Sequence, residues 1–562
     1  MKADLILHHA HIYTVDSVKP WAEAVACKGG QIIAVGSNEE MRSLAGSDTQ
    51  LINAKGRLVL PGLIDAHVHF LNYAIRQHEV NLFGVRDFEE VRQRVREAVE
   101  SAGPDDWIQG WGWDESLWDV QPTKAGLDDL APENPVVLRR IDMHTYWLNS
   151  AALKQAGLTR ETSDPPSSQL ERDEGGELTG ILREWNALKL VDTHIPQPDH
   201  ATLLTWLAEA IATAHQLGLT GIHDQRVQGE GRQSFRLFQT LQRQGKLNLR
   251  IHMNIAAEHL AEAATLGLQP GFGDDRLWIG HVKAFADGTL GSRTALMIEP
   301  YGDDPNNRGL AVTPTQALWE LAEQARQAGF PLSIHAIGDS AVREIIDVFS
   351  ELQPESITSA APGQAQQMVM PPHRIEHVQV IHPDDLPRLN QHNIVASIQP
   401  VHICTDWAVA NRVWGERARY AYAFRSLLEH GTRLALGSDA PVAPLDPMLG
   451  IYAAVTRQDQ QGNPKNGWHP EERISVAEAV YGYTIGPAQA AGKARLQGSI
   501  TPGKWADMIM LSQNIFEIPH DEIPETKLDL TVFDGQIVYH PGGEVDAARQ
   551  KITFAPILGP KF

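Results

Sequence analysis

The sequence predicts an α/β protein: a parallel (β/α)8 TIM barrel carrying a discontinuous β-sandwich domain from both termini and an insertion subdomain after the first barrel strand. Three observations predict it. Apolar runs of strand length recur through the middle of the chain, and several alternate with clear helices. Both ends read instead as short strands joined by turns. Residues 72–195 separate the first barrel strand from the second by far more than a normal crossover. A chain of 562 residues is also too long for one simple core, so at least two folding units are expected.

The elements follow in order. Residues 3–58 hold "ADLILHHAHIYTV", "AEAVACKGGQIIAVG" and "TQLINAKGRLVL", with Gly29-Gly30 suited to a tight hairpin turn. The first barrel strand lies in "RLVLPGLIDAHVHF". The insertion carries "GWGWDESLWDV", "RRIDMHTYWLNSAAL" and "GELTGILREW", and is expected to sit over the strand ends where barrel active sites lie. Seven further strands are read in "GLTGIHDQ", "LNLRIHMNI", "LWIGHVKAFADG", "FPLSIHAIGD", "HRIEHVQVI", "NIVASIQP" and "TRLALGSDAPV". The helix in "DHATLLTWLAEAIATAHQLG" has Asp199 as its cap and Gly218 as its stop; "TQALWELAEQARQAG" stops at Gly329 in the same way. Residues 353–372 form a polar, Pro/Ala-rich loop with no periodic pattern and no expected chemistry. "ADMIMLS" and "LDLTVFDGQIVYH" return to strands, with Asp534-Gly535 as a second hairpin signal. The expected boundaries are 1–58 with 496–562 for the sandwich and 59–495 for the barrel, the latter including the insertion at 72–195.

A net charge of −22 argues against nucleic acid or an anionic membrane as partner, because both select basic patches. Two cysteines, Cys27 and Cys404, make no disulfide framework, and a reducing cytoplasm is the expected setting. The N-terminal stretch has no long apolar h-region or small-residue cleavage site, and no apolar run is long enough to span a bilayer. A small-molecule substrate is expected, with a homodimer as the common assembly.

The strand ends collect an unusual set of residues. "DAHVH" places His67 and His69 two apart, both facing the barrel axis; "SIHAIGD" supplies His335, "RIEHVQ" His377 and "GSDAPV" Asp439. A lone histidine on an apolar strand is ordinarily a core residue bonded to backbone. Four histidines and an aspartate at matching depth instead describe a site for zinc or a similar divalent ion. Lys283, on the fourth strand, points to the same interior as His281.

Read together and in order, "PGLIDAHVH", "VKAFADGTLGSRTA", "IHAIGDSA", "RIEHVQ", "GSDAPV" and "GSITPGKWADMIMLS" resemble the amidohydrolase superfamily, specifically its YtcJ-like branch, related to N-substituted formamide deformylases. "NSAAL" and "GELTGILRE" resemble that branch too, so the likeness runs nearly end to end. It implies a metal-dependent hydrolase of an amide-like C–N bond in an amide, N-substituted formamide, cyclic amide or carbamate, acting through a metal-activated hydroxide. His67, His69, Lys283 and Asp439 would hold one ion, and Lys283, His335 and His377 the other, with zinc the first choice. Lys283 would be carboxylated by carbon dioxide to a bridging carbamate, since a lysine in a low-dielectric site loses its proton readily. The alternative is an ordinary lysine paired with Asp287 or Asp439 beside a single ion. Asp439 would also pass the proton from the nucleophile to the leaving amine.

His281 departs from the smaller residue usual at that position in the family. Packing behind the ligands is the expected role, with ligation or substrate contact as alternatives. Arg293 and His144 are candidate substrate contacts, an ion pair being the plain alternative for Arg293. Trp113, with Trp111 and Trp118, either walls the substrate or forms the core of the insertion, the reading preferred here. His223 and Asp224 are expected behind the site, and Cys404 has no partner histidine to make it a nucleophile. Competing functions are a mononuclear aminohydrolase of a heterocycle, a metal-dependent esterase or lactonase, and a binding protein that has kept the fold.

Overall fold

The computed structural model describes residues 1–141, 144–166, 168–225, 231–352 and 370–542. The chain divides into two compact units, one of Met1–Leu71 with the chain from Ala208 onward, the other of Asn72–Leu207.

The first unit contains a sheet of eight parallel strands in sequence order. They are β1 (Leu63–Val68), β2 (Leu219–Asp224), β3 (Arg250–Ala256), β4 (Leu277–Phe285), β5 (Leu332–Ala336), β6 (Arg374–His377), β7 (Val395–Ile398) and β8 (Arg433–Leu436). Nearly every residue of these strands is buried, the pattern of a parallel sheet covered on both faces. Just beyond β8, Ala440 bridges Val68, and the Asp439 amide donates to the His67 carbonyl (2.7 Å), bringing the last strand back to the first. This is the expected TIM barrel. The helix His200–Gln216 starts where the Asp199 carboxylate accepts the Thr202 amide (2.7 Å), and Gly218 ends it with φ 80°.

The two chain ends share one sheet: Leu58–Pro61 pairs antiparallel with Met508–Leu511. Its six strands pack on a four-stranded N-terminal sheet through one core, in which Leu5, Leu7, Val25 and Ile52 meet Met508, Met510, Leu530 and Val532. Both hairpin signals hold. Gly29 and Gly30 have φ of 56° and 76°, and Asp534 and Gly535 have 52° and 73°, as a two-residue turn with the twist of its strands requires.

Arg250, at the base of β3, ties barrel to sandwich. Its guanidinium donates twice to the Asp507 carboxylate (2.5 and 3.1 Å) and lies 3.8 Å from the Trp505 ring centroid. Arg250→Leu strands a buried carboxylate, and a loss of roughly 3–5 kcal/mol is expected. A lowered urea midpoint would confirm it; an unchanged midpoint would show that the pair does not hold the two layers together.

The second unit is a six-stranded mixed sheet with helices, among them Phe88–Ser101, capped by Asp87. Its core gathers Val91, Val95, Trp113, Trp118 and Trp147. Among the described residues no helix is long and apolar enough to cross a membrane. Residues 353–369 of the polar loop lie outside the described residues.

Candidate metal centre

The C-terminal ends of β1, β4, β5, β6 and β8 bring His67, His69, Lys283, His335, His377 and Asp439 together. The rings of His67 and His377 lie 4.8 Å apart, those of His335 and His377 4.5 Å, and those of His67 and His69 5.7 Å. Asp439 Oδ1 is 3.4 Å from Nε2 of both His67 and His69. Two atoms bound to one zinc at tetrahedral angles stand about 3.4 Å apart, so this trio has the spacing of a ligand set without rearrangement. Among the described residues a second group of that kind is His377, His402 and Asp439. It contains His402 where the sequence reading placed His335.

The surroundings of these imidazoles decide which nitrogen faces the centre. His67 Nδ1 donates to Glu376 Oε2 (2.6 Å), His377 Nδ1 to Gln399 Oε1 (2.8 Å) and His335 Nε2 to the Gly288 carbonyl (2.9 Å). Each neutral ring therefore presents its other nitrogen as a lone pair. Glu376 is in turn fixed by Ser333 Oγ (2.6 Å) and Arg374, and Arg374 also donates to Ser397, the Ala66 carbonyl and His223. Burial alone would raise the Glu376 carboxyl, but Arg374 and His67 outweigh it and hold it well below the usual range. Replacing Glu376 with glutamine frees the His67 ring, and metal affinity is expected to fall roughly 10–100-fold. Competition against a chelator measures this; an unchanged affinity would assign Glu376 to packing alone.

Backbone geometry aims two of the candidate ligands. Glu376 and His377 are neighbours and would point to opposite faces of a regular strand. His377 has φ 77°, which breaks the alternation and turns both side chains to the same interior; Asp439 has φ 62°. Left-handed backbone at a non-glycine residue is unfavourable by about 1–3 kcal/mol and concentrates at functional sites. Asp65 joins the two strands beneath, accepting the amides of His67 (2.9 Å) and Ser438 (3.1 Å), with burial pushing its carboxyl up to about 7. A Cβ at Gly437 would stand 2.5 Å from the His67 amide nitrogen, so only glycine permits this approach.

Lys283 is 2% exposed, and among the described residues its Nζ makes no hydrogen bond. Burial pulls its ammonium down to about 8 although Glu376 and Asp439 oppose the shift. Asp287, a partner considered for it, instead accepts the amides of Leu296, Ile337 and Gly338. Burial would raise Asp439, but His67 and His69 more than offset this and hold it well below the ordinary carboxylate value.

His281 has a definite place. The Trp278 indole can only donate, so it fixes His252 Nδ1 as acceptor (3.0 Å). Burial keeps both histidines neutral, holding His252 well below its usual value and His281 down at about 3. His252 Nε2 must then donate to His281 Nδ1 (2.9 Å), and His281 Nε2 to the Pro372 carbonyl (2.9 Å). Both nitrogens of His281 are thus committed, which corrects its candidacy as a substrate contact. It pins the chain where it enters β6.

The remaining candidates have other partners. Trp113 is 1% exposed in the core of the second unit and donates to the Leu138 carbonyl (2.8 Å), leaving no surface for a substrate; its role as an aromatic wall is corrected accordingly. Arg293 pairs with Asp303 (2.8 Å) at a half-exposed turn. His144, also in the second unit, lies 3.0 Å from Glu184. Cys404 has its thiol pushed up to about 12 by burial, which suits no nucleophile. The sequence reading missed Asp65, Glu376, Gln379, Gln399 and His402. Glu376 and Gln379 lie inside the quoted "RIEHVQ" motif, but strand alternation assigns Glu376 to the face opposite His377 and so hid it; His402, beyond the end of β7, had no signal.

Comparison with known proteins agrees with this geometry. Residues 50–539 match the profile described as "Amidohydrolase family". The chain is 36% identical over 526 residues to Protein LONG AFTER FAR-RED 3 of Arabidopsis thaliana, covering 92% of this chain and 88% of that protein. It is 32% identical to YtcJ of Bacillus subtilis (96% and 99% covered) and 27% identical to an N-substituted formamide deformylase of Arthrobacter pascens (96% and 99%). Among solved structures, an uncharacterized metal-dependent hydrolase from Pyrococcus horikoshii superposes with a TM-score of 0.75 at 27% identity, over 92% of this chain and 99% of that one. Barrel, ligand geometry and an almost full-length family match together place this chain in the amidohydrolase family.

Proposed function

We propose that the chain hydrolyses an amide-like C–N bond of a small molecule at a centre of two divalent ions, zinc foremost, bridged by a carboxylated Lys283. The observation that carries the reading is Lys283 itself. A buried amine with no hydrogen-bond partner among the described residues, electrostatically coupled to His335, His377 and Asp439, is unfavourable in an ordinary fold and well suited to becoming a ligand. The other residues fit as well: His67, His69 and Asp439 have zinc-ligand spacing, and His335 and His377 each present one lone pair inward. Ions held there would supply Lewis acidity and a nucleophile at neutral pH.

The chain's own residues do the rest. Glu376 and Gln399 hold the rings of His67 and His377 in one tautomer. Asp439, kept ionised by the imidazoles around it, takes the proton of the nucleophile and delivers it to the departing nitrogen. The A. pascens relative supports an N-substituted formamide or related amide as substrate. Metal analysis of the full chain, with a crystal structure at Lys283, tests the proposal. Two ions per chain and carbamate density are expected; a single ion beside an unmodified lysine would replace the reading with a mononuclear aminohydrolase.

A further inference from the structure

We propose that Gln379 and His402 form a coupled donor–acceptor pair beside the metal centre that recognises the –CO–NH– group of the substrate. The proposal rests on the hydrolase reading above and makes this pair the element that prefers a secondary amide to an ester or an N-alkylated amide. Gln379 lies two residues beyond His377 at the end of β6, and His402 follows β7. Both are more than nine-tenths buried, at 4% and 7% exposure. The Gln379 amide nitrogen stands 3.4 Å from His402 Nδ1. The two remaining atoms, Gln379 Oε1 and His402 Nε2, make no hydrogen bond among the described residues, although more than nine in ten buried polar groups do. His402 Nε2 is 3.8 Å from Asp439 Oδ2 and its ring is parallel to that of His377, so this end of the pair looks onto the reacting centre.

The contact between the two side chains sets the polarity of their free ends. If the Gln379 amide donates to Nδ1, the free ends are a carbonyl oxygen and an Nε2–H. If the amide is turned over and Nδ1–H donates instead, they are an NH2 and a bare Nε2. Either way the pair offers one donor and one acceptor. A secondary amide offers the complement of each, its carbonyl and its N–H. An ester or a tertiary amide offers acceptors only and would leave one buried protein group unpaired. Leaving one buried group unpaired rejects the analogue lacking the hydrogen by roughly 5–150-fold.

Formanilide, N-methylformanilide and phenyl formate, which all release formate, make a matched series for the zinc-loaded full chain. Gln379→Leu is expected to lower kcat/KM for formanilide by roughly 30–100-fold while changing the other two less than about threefold. An equal fall on all three would overturn the proposal, and Gln379→Met replaces the leucine variant should that one misfold. A second readout needs no turnover. In zinc-loaded protein labelled with 15N-histidine, the His402 Nε2 signal, assigned by its absence in His402→Asn, should shift with N-methylacetamide and not with N,N-dimethylacetamide. Equal shifts, or none, would overturn the pair. Loss of one zinc per chain in His402→Asn would do the same by making Nε2 a metal ligand. A selective shift without turnover of any of the three compounds would keep the pair and remove the hydrolase reading instead.

Discussion

Lys283→Met should lower kcat/KM by roughly 10³-fold or more while leaving the protein as stable as before or slightly more so. The two effects part because the fold makes little use of the amine. Among the described residues Nζ has no hydrogen bond, only the face of the Phe285 ring 4.9 Å away, and burial already opposes its charge. Methionine fills a similar volume and removes an unfavourable group from the interior. It cannot take up carbon dioxide, so the bridge proposed between the two ligand groups could not form. Turnover, ions per chain and the thermal midpoint distinguish the outcomes. A variant that retains two ions and normal turnover would sink the bridging role. One that melts several degrees lower would show that Nζ supports the fold.

Asp439→Asn should cost roughly 10²–10⁴-fold in kcat, the range of a positioned proton carrier, with little change in stability. Asparagine keeps the size of the side chain and tolerates the left-handed backbone at φ 62°. It also leaves the amide bond to the His67 carbonyl in place. What it lacks is the anion standing 3.4 Å from both His67 and His69. Asp439→Ala is the control for strain. Without a side chain suited to that backbone it should lose stability as well as activity. Near-normal turnover in the asparagine variant would move the proton-transfer role to another residue.

The architecture, and the convergence of six candidate ligands at the strand ends, could be read along the chain. Eight strand-length apolar runs, the capped helices and the two hairpin turns are local patterns, and each is encoded within a few residues. His67, His69, Lys283, His335, His377 and Asp439 were legible because each closes a strand whose direction in the barrel is predictable. How those side chains are held depends on contacts between distant parts of the chain. Glu376 reaches His67 across 309 positions of sequence, and Asp65 reaches Ser438 across 373. No local pattern encodes such pairings. The left-handed backbone at His377, which turns two neighbouring residues to one face, was equally hidden, because strand periodicity assumes the alternation that it breaks. The same holds for His281. Sequence spacing put it beside Lys283, but His252 on the neighbouring strand, fixed by the Trp278 indole, and the carbonyl of Pro372 settle its protons and its purpose. Side-chain direction is a local property and can be read along the chain; hydrogen-bond partnership depends on which strands the barrel sets side by side.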